Sequence, residues 1–310
     1  MRFYDEAKIM FSYASHIGRF IVRLAVVLMT GCAIETTPTE AAVDDIEVLS
    51  EAIRGGANPE GRKGIVMLVR YDSRGNYSGG CTGSLIGPTL VLTAAHCIKP
   101  NQKIEIYYYK PGLPANAPVL ISAGGNRTHR HPEFGSEGSE GDDEYSNHDV
   151  GLIELTGATR WPETTNNDYL LIYEGQPLPI LCFYGQGYQT ISGNGAGELS
   201  MATFNLPDVK TWRAEIGMTS SKGLCRGDSG GPAMMGNTDL IACITSQVAL
   251  DNDTCGQNDI IGADIFDEPY ALCSRTVWRN VRKFVKEATG IECVKKSPTT
   301  AAPYEHFQCF

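Results

Sequence analysis

One segment of this chain, CRGDSGGP at residues 225–232, sets a serine between an aspartate and two glycines, just after a cysteine. Small neighbours leave the Ser229 hydroxyl accessible and let the backbone bend tightly, so the segment is either a surface turn or the seat of a nucleophile. A serine hydroxyl attacks a carbonyl only when a base takes its proton. The usual base is a histidine held in one tautomer by a buried carboxylate. The chain offers both. His96 lies in LTAAHC (92–97), at the end of an apolar run and flanked by small residues. Asp149 lies in HDVGLIEL (148–155), at the start of another apolar run. Taken singly, His96 reads as a core histidine and Asp149 as a turn residue. Together with Ser229 they point to acyl transfer, a chemistry that needs neither metal nor cofactor.

Those three residues need a scaffold that brings distant segments together. From Ile53 onward the chain is a series of short apolar or alternating runs: GIVMLVRYD (64–72), SLIGPTLVLTAA (84–95), KIEIYYY (103–109), DVGLIEL (149–155), LPILCFYG (178–185) and LIACITSQV (240–248). Gly, Pro, Asn and Asp punctuate them, the pattern of an all-β barrel or sandwich. One stretch departs from it near the C-terminus. RTVWRNVRKFVKEA (275–288) spaces Val277, Val281, Phe284 and Val285 as a helix packed on the barrel would. The polar loop SEGSEGDDEYSN (136–147) lacks the ligand spacing of a known calcium loop and reads as solvated.

Composition narrows the setting. The 310 residues suffice for one large domain or two smaller ones. The net charge of −10, with no basic tract, excludes nucleic acid and an anionic membrane surface as evident partners. Ten dispersed cysteines without a CxxC pair argue against a zinc site and for disulfides in an oxidising compartment. Arg19 and Arg23 precede LAVVLMTG (24–31), an apolar run too short to span a bilayer and fitting a signal-peptide core, so residues 1–32 read as an export leader. Its ending MTGC is similar to a bacterial lipobox, which would put a lipid anchor on Cys32 and the protein on a cell surface; otherwise it is secreted. Residues 33–52, acidic and Thr-rich, read as a spacer or propeptide.

TAAHC, HDVGLIEL and GDSGGP, in that order, resemble the trypsin/chymotrypsin family of serine endopeptidases. The resemblance covers about residues 53 to 288 and is carried also by GGCTGSLI (79–86), HPEF (131–134) and IRGG (53–56). It implies two six-stranded antiparallel barrels with a C-terminal helix, within a domain at 53–293 followed by a loose tail at 294–310. It implies hydrolysis of protein or peptide substrates by a monomer. Ser229 is the nucleophile, His96 the general base and Asp149 its orienting carboxylate. The backbone N–H groups of Gly227 and Ser229 form the oxyanion hole. Asp228 pairs with the α-ammonium of Ile53 after a zymogen is cut behind Ala52, where the family usually has a basic residue.

The resemblance also implies pairings and a pocket. Cys81–Cys97 closes the histidine loop and Cys225–Cys255 the segment beside the substrate pocket. Cys182 and Cys243 are candidates to pair, as is Cys273 with Cys293 or Cys309. The pocket is formed by Gly223 at its floor, by Ser246 beneath the triad aspartate, and by Val248 and Gly262 on its walls. A valine wall favours small or medium apolar side chains. A register shift would bring Asp264 in instead of Gly262 and restore preference for basic residues. Two rival functions are a non-enzymatic binding module on the same fold and an esterase using the same three residues.

Overall fold

The computed structural model describes residues 53, 56–57, 59, 62–108, 119–122, 124–134, 148–155, 169–175, 179–187, 199–206, 213–217, 223–248, 270–275, 281–298 and 304–310. Strands dominate, as the alternating runs require. The first sheet takes seven: β1 (Ile65–Tyr71), β2 (Tyr77–Gly87), β3 (Leu90–Thr93), β4 (Lys103–Tyr108), β5 (Val119–Ser122), β6 (Arg127–Arg130) and β7 (Gly151–Glu154). Their order is β5-β4-β1-β2-β3-β7-β6, antiparallel throughout. β4 shows the driving force: Ile104, Ile106 and Tyr108 are buried while Lys103, Glu105 and Tyr107 face outward.

The second sheet contains β8 (Leu171–Tyr173), β9 (Ile180–Gly185), β10 (Ser200–Asn205), β11 (Arg213–Gly217), β12 (Pro232–Met234), β13 (Leu240–Val248) and β14 (Tyr270–Arg275). The order β12-β9-β10-β11-β14-β13 is closed by a pairing of β12 with β13, giving a ring of six antiparallel strands. Closure removes the sheet edges that would otherwise be left unpaired. Among the described residues the first sheet is an open row of seven strands where a six-stranded barrel was expected, the second holds the closed ring of six, and the α-helix is the C-terminal α1 (Val281–Thr289). Val281, Phe284 and Val285 are the buried face of α1, and Val277 lies outside the described residues. No described helix is long and apolar enough to cross a membrane.

The C-terminal end differs from expectation. Instead of a loose tail, β15 (Cys293–Lys296) and β16 (His306–Cys309) form an antiparallel hairpin, and β16 pairs with β8. β8 in turn runs parallel to β13. The hairpin therefore extends the second sheet, while Phe307 and Cys309 join the apolar cluster of the first. HFQC is too short to show periodicity; what makes it a strand is pairing with β15 and with the edge of β8. The hairpin register sets Cys293 directly opposite Cys309, and the two are joined in a disulfide. Cys273 is thus not the partner of either.

Phe307 packs opposite Ile172, with the Arg282 guanidinium 4.2 Å from its ring centre. Truncation by Phe307→Ala is expected to cost about 3 kcal/mol of stability. Urea unfolding of the oxidised protein would measure it; a loss within error of zero would mean that the hairpin is dispensable.

Candidate active site

The meeting of His96 and Asp149 is a consequence of strand pairing. β3 and β7 are antiparallel neighbours, with Leu92 opposite Leu152 and Thr93 opposite Gly151. The residues following β3 therefore lie beside those preceding β7. His96 sits in the 3-10 turn Ala95–Cys97 just after β3, and Asp149 two residues before β7. The Asp149 carboxylate is fully buried and receives three donors. The His96 backbone N–H reaches Oδ1 at 2.9 Å, His96 Nδ1 lies 2.7 Å from Oδ2, and the Ser246 hydroxyl donates to Oδ2 at 2.6 Å. An ionised carboxylate only accepts, so Nδ1 carries the ring proton and Nε2 keeps a lone pair. The His96 side chain remains 21 % exposed, open to a reacting group.

Ser229 comes from the other sheet, in the turn before β12. The Ser229 carbonyl accepts the Thr82 N–H at 2.8 Å, and Cys97 Sγ lies 3.6 Å from the same oxygen. The serine's residue thus packs against the histidine's chain neighbour. Next to it, the Gly230 N–H donates to the Thr245 carbonyl at 2.7 Å and the Thr245 N–H to the Gly231 carbonyl at 2.9 Å, tying the turn to β13. Gly227 and Gly230 have φ of +102° and +83°. A Cβ on Gly227 would come within 2.7 Å of the Gly187 Cα, and one on Gly230 within 2.1 Å of Thr93 Oγ1. Any other residue at either place would unseat the turn.

Thr82 does more here than its place in the sequence suggests. Besides its N–H bond to Ser229, its hydroxyl donates to the Gly227 carbonyl at 2.8 Å and accepts the Gln186 N–H at 3.1 Å. Its carbonyl accepts the Thr93 hydroxyl at 2.8 Å. One fully buried residue of β2 thus holds the turn carrying Gly227 and Ser229 against the first sheet. Sequence reasoning passed over it; the only signal was a β-branched polar residue inside CTGS, beside the expected disulfide.

Asp228 is buried as completely as Asp149 but is answered differently. It accepts the Gly187 N–H at 2.9 Å and the Cys225 N–H at 2.7 Å, and no cation among the described residues faces it. Burial dominates, pushing its carboxyl up to about 8 against the opposing pull of the two N–H bonds. Ile53 is fully buried as well, in the apolar cluster of the second sheet. Its segment docks there through a bridge from Ala57 to Met201, which lies opposite Tyr184 in β9. Gly185, the next residue, packs against the Asp228 carboxylate.

A family model described as Trypsin matches residues 53–265, more than half of the chain. The chain belongs to the trypsin family. Human Kallikrein-8 is 29 % identical over 206 residues, covering 58 % of this chain and 69 % of that protein. The Phenoloxidase-activating enzyme of Bombyx mori is 24 % identical over 222 residues, covering 59 % of this chain and only half, 50 %, of its own length. Among solved structures, mouse neuropsin, a serine protease, superposes with a TM-score of 0.53 at 19 % identity, covering 76 % of this chain and 98 % of that one. HL collagenase does so with a TM-score of 0.56 at 19 % identity, covering 77 % and 100 %. At that identity the two structures speak to the fold alone.

Within this trypsin-family frame, Cys81 and Cys97 are joined, and Cys225 is disulfide-bonded. Cys255 lies outside the described residues, as do Cys32, Gly262 and Asp264. The pairing of Cys182 with Cys243 does not occur: Cys243 is a free, buried thiol and Cys182 is in another disulfide. The reason is topological. Cys182 lies opposite Met234 and Cys243 opposite Ala233, so β12 runs between them. Two strand spacings are about 10 Å, beyond the reach of a disulfide. Of the expected pocket, Gly223 is buried, and Val248 ends β13 opposite Ala271. Ser246 faces Asp149.

Two outcomes are expected. Thr82→Val keeps the shape but leaves the Gly227 carbonyl and the Gln186 N–H without their partner, costing about 1–3 kcal/mol. Steady-state kinetics should show the loss mainly in kcat if the turn aims an oxyanion donor, and a pure KM effect would contradict that. For Asp228, the sign follows from its raised carboxyl: between about pH 4 and 8 the folded chain holds a proton that unfolding releases. Its contribution to stability therefore falls as pH rises through this window and levels off above it. Urea midpoints measured from pH 4 to 8 should fall less steeply in Asp228→Asn than in the parent; equal slopes would refute the assignment.

Proposed function

We propose that this chain is a serine endopeptidase in which Ser229, His96 and Asp149 hydrolyse peptide bonds through an acyl-enzyme. The observation that supports it most is the buried Asp149 carboxylate gripping His96 by both ring and backbone nitrogens. In this reading Nε2 of His96 takes the Ser229 proton as Oγ attacks the scissile carbonyl. The carbonyl oxygen becomes an oxyanion, stabilised by the N–H groups of Gly227 and Ser229. The imidazolium, balanced by Asp149, then protonates the departing amine. Water repeats the sequence on the acyl-enzyme and releases the second product.

The chain is made as a zymogen. Cutting between Ala52 and Ile53 creates an α-ammonium that pairs with Asp228. An unpaired buried carboxylate is costly, and the raised carboxyl of Asp228 in the uncut chain is the signature of that cost. Pairing removes it and orders the turn that carries Gly227. Substrates are proteins or peptides with a small or medium apolar residue before the scissile bond, selected by Gly223, Val248 and Gly262; Asp264 in the pocket would change this to Arg or Lys. The leader at 1–32 and the disulfides fit a secreted protein, with Cys32 as the position for a lipid anchor.

Protein starting at Ile53 should be labelled at Ser229 by a fluorophosphonate and should cleave a peptide library, while Ser229→Ala and His96→Ala should lose at least about a thousandfold in turnover. Absence of labelling in correctly processed protein would favour a binding module. A library profile dominated by Arg and Lys would retain the enzyme but overturn the apolar pocket.

A further inference from the structure

Next to Asp149, but outside the residues that perform the reaction, lies a second cluster of chemistry-bearing side chains. His131, Glu133 and His148 each offer a ligand atom, and these atoms all lie within 4.8 Å of one another. His148 Nε2 is 2.6 Å from a Glu133 carboxylate oxygen. The His131 and His148 rings are stacked with centres 4.8 Å apart and planes 18° from parallel. The Phe284 ring of α1 also lies against His131, 5.1 Å away and tilted by 59°. His131 is buried, while the Glu133 side chain is 60 % exposed. The site thus has a fixed apolar wall and an open side. The other His/Cys grouping among the described residues, Cys81, His96 and Cys97, has both sulfurs committed to a disulfide.

We propose that His131, Glu133 and His148 form a binding site for a transition-metal dication, Zn²⁺ above all. Two imidazoles and one carboxylate are a ligand set chosen by zinc and copper rather than by calcium or magnesium, which take oxygen. Around a tetrahedral zinc, neighbouring ligand atoms stand about 3.4 Å apart at bond lengths near 2.1 Å. Near-parallel rings do not aim their in-plane lone pairs at one point, so binding requires one imidazole to swing out of the stack and the Glu133 carboxylate to exchange its 2.6 Å bond to His148 for the metal. Three protein ligands leave the fourth position for water.

The placement gives the metal a consequence, which rests on the proposed role of Asp149. His148 precedes Asp149, has φ of +53°, and its carbonyl accepts the Val150 N–H at 2.7 Å. The Val150 carbonyl accepts the His131 N–H at 2.9 Å. Drawing the two imidazoles onto one ion pulls on both sides of this compact turn, which presents the carboxylate to His96. Zinc is therefore an inhibitor of the proposed reaction that touches neither Ser229 nor His96.

Calorimetric titration of Zn²⁺ into the full-length chain tests the site without reference to activity. One zinc per chain is expected, with affinity lowered about tenfold or more by Glu133→Gln and by His131→Gln. Glu133→Gln lies on the surface and guards against loss of folding as the explanation. No binding up to millimolar zinc, or binding unaltered by both substitutions, would overturn the proposal. Activity adds a separate arm. Zinc inhibition of the processed protein should be relieved by Glu133→Gln, whose turnover without metal should match the parent. Inhibition that persists there would place the inhibiting zinc elsewhere and overturn the regulatory consequence, whereas failure of the metal-free enzyme to turn over would count against the catalytic reading alone.

Discussion

A carboxylate buried from water is tolerable only when donors replace its hydration, and Asp149 is the group on which this site turns. Its three donors come from three directions: the backbone and the ring of the histidine turn, and a hydroxyl on β13 of the second sheet. The carboxylate therefore does two things at once. It sets the tautomer and direction of His96, and it binds the first sheet to the second at the place where the chemistry would occur. The β3–β7 register supplies the first of these and Ser246 the second.

Asp228 is the opposite case. It is equally buried, yet among the described residues two backbone N–H groups answer it, and its carboxyl rises to about 8. Two buried acids among the described residues, one met by three donors and the other by two backbone N–H groups, differ in surroundings. The first, Asp149, is fully met by its donors. The other holds its proton into the neutral range, and its bonds to the Gly187 and Cys225 N–H groups set it beside the turn bearing Gly227 and Ser229. Thr82 bridges these regions: its hydroxyl holds Gly227 and Gln186, and its N–H holds Ser229.

The C-terminal hairpin shows how a short segment acquires structure from its surroundings. HFQC has no strong period of its own, and its pairing with β15 on one side and the edge of β8 on the other makes it a strand. The same reasoning explains Cys182 and Cys243. Both lie on strands of the second barrel, which sequence runs reveal, but the insertion of β12 between them is a fact of pairing order. Strand existence is written locally, in alternation and turn residues. Strand order depends on contacts between residues far apart, which no local pattern records.

Sequence by itself determined the strand-rich class, the helix over Val281, Phe284 and Val285, and the three segments bearing Ser229, His96 and Asp149, because glycine turns and apolar periodicity are local properties. Tertiary structure alone decided that Thr82 would anchor the serine turn, that Cys293 would face Cys309, and that His131 and Glu133 would meet His148. Each of those depends on which strand ends lie side by side, and hydrogen bonds and ring contacts act over a few ångströms of space, whatever the separation along the chain.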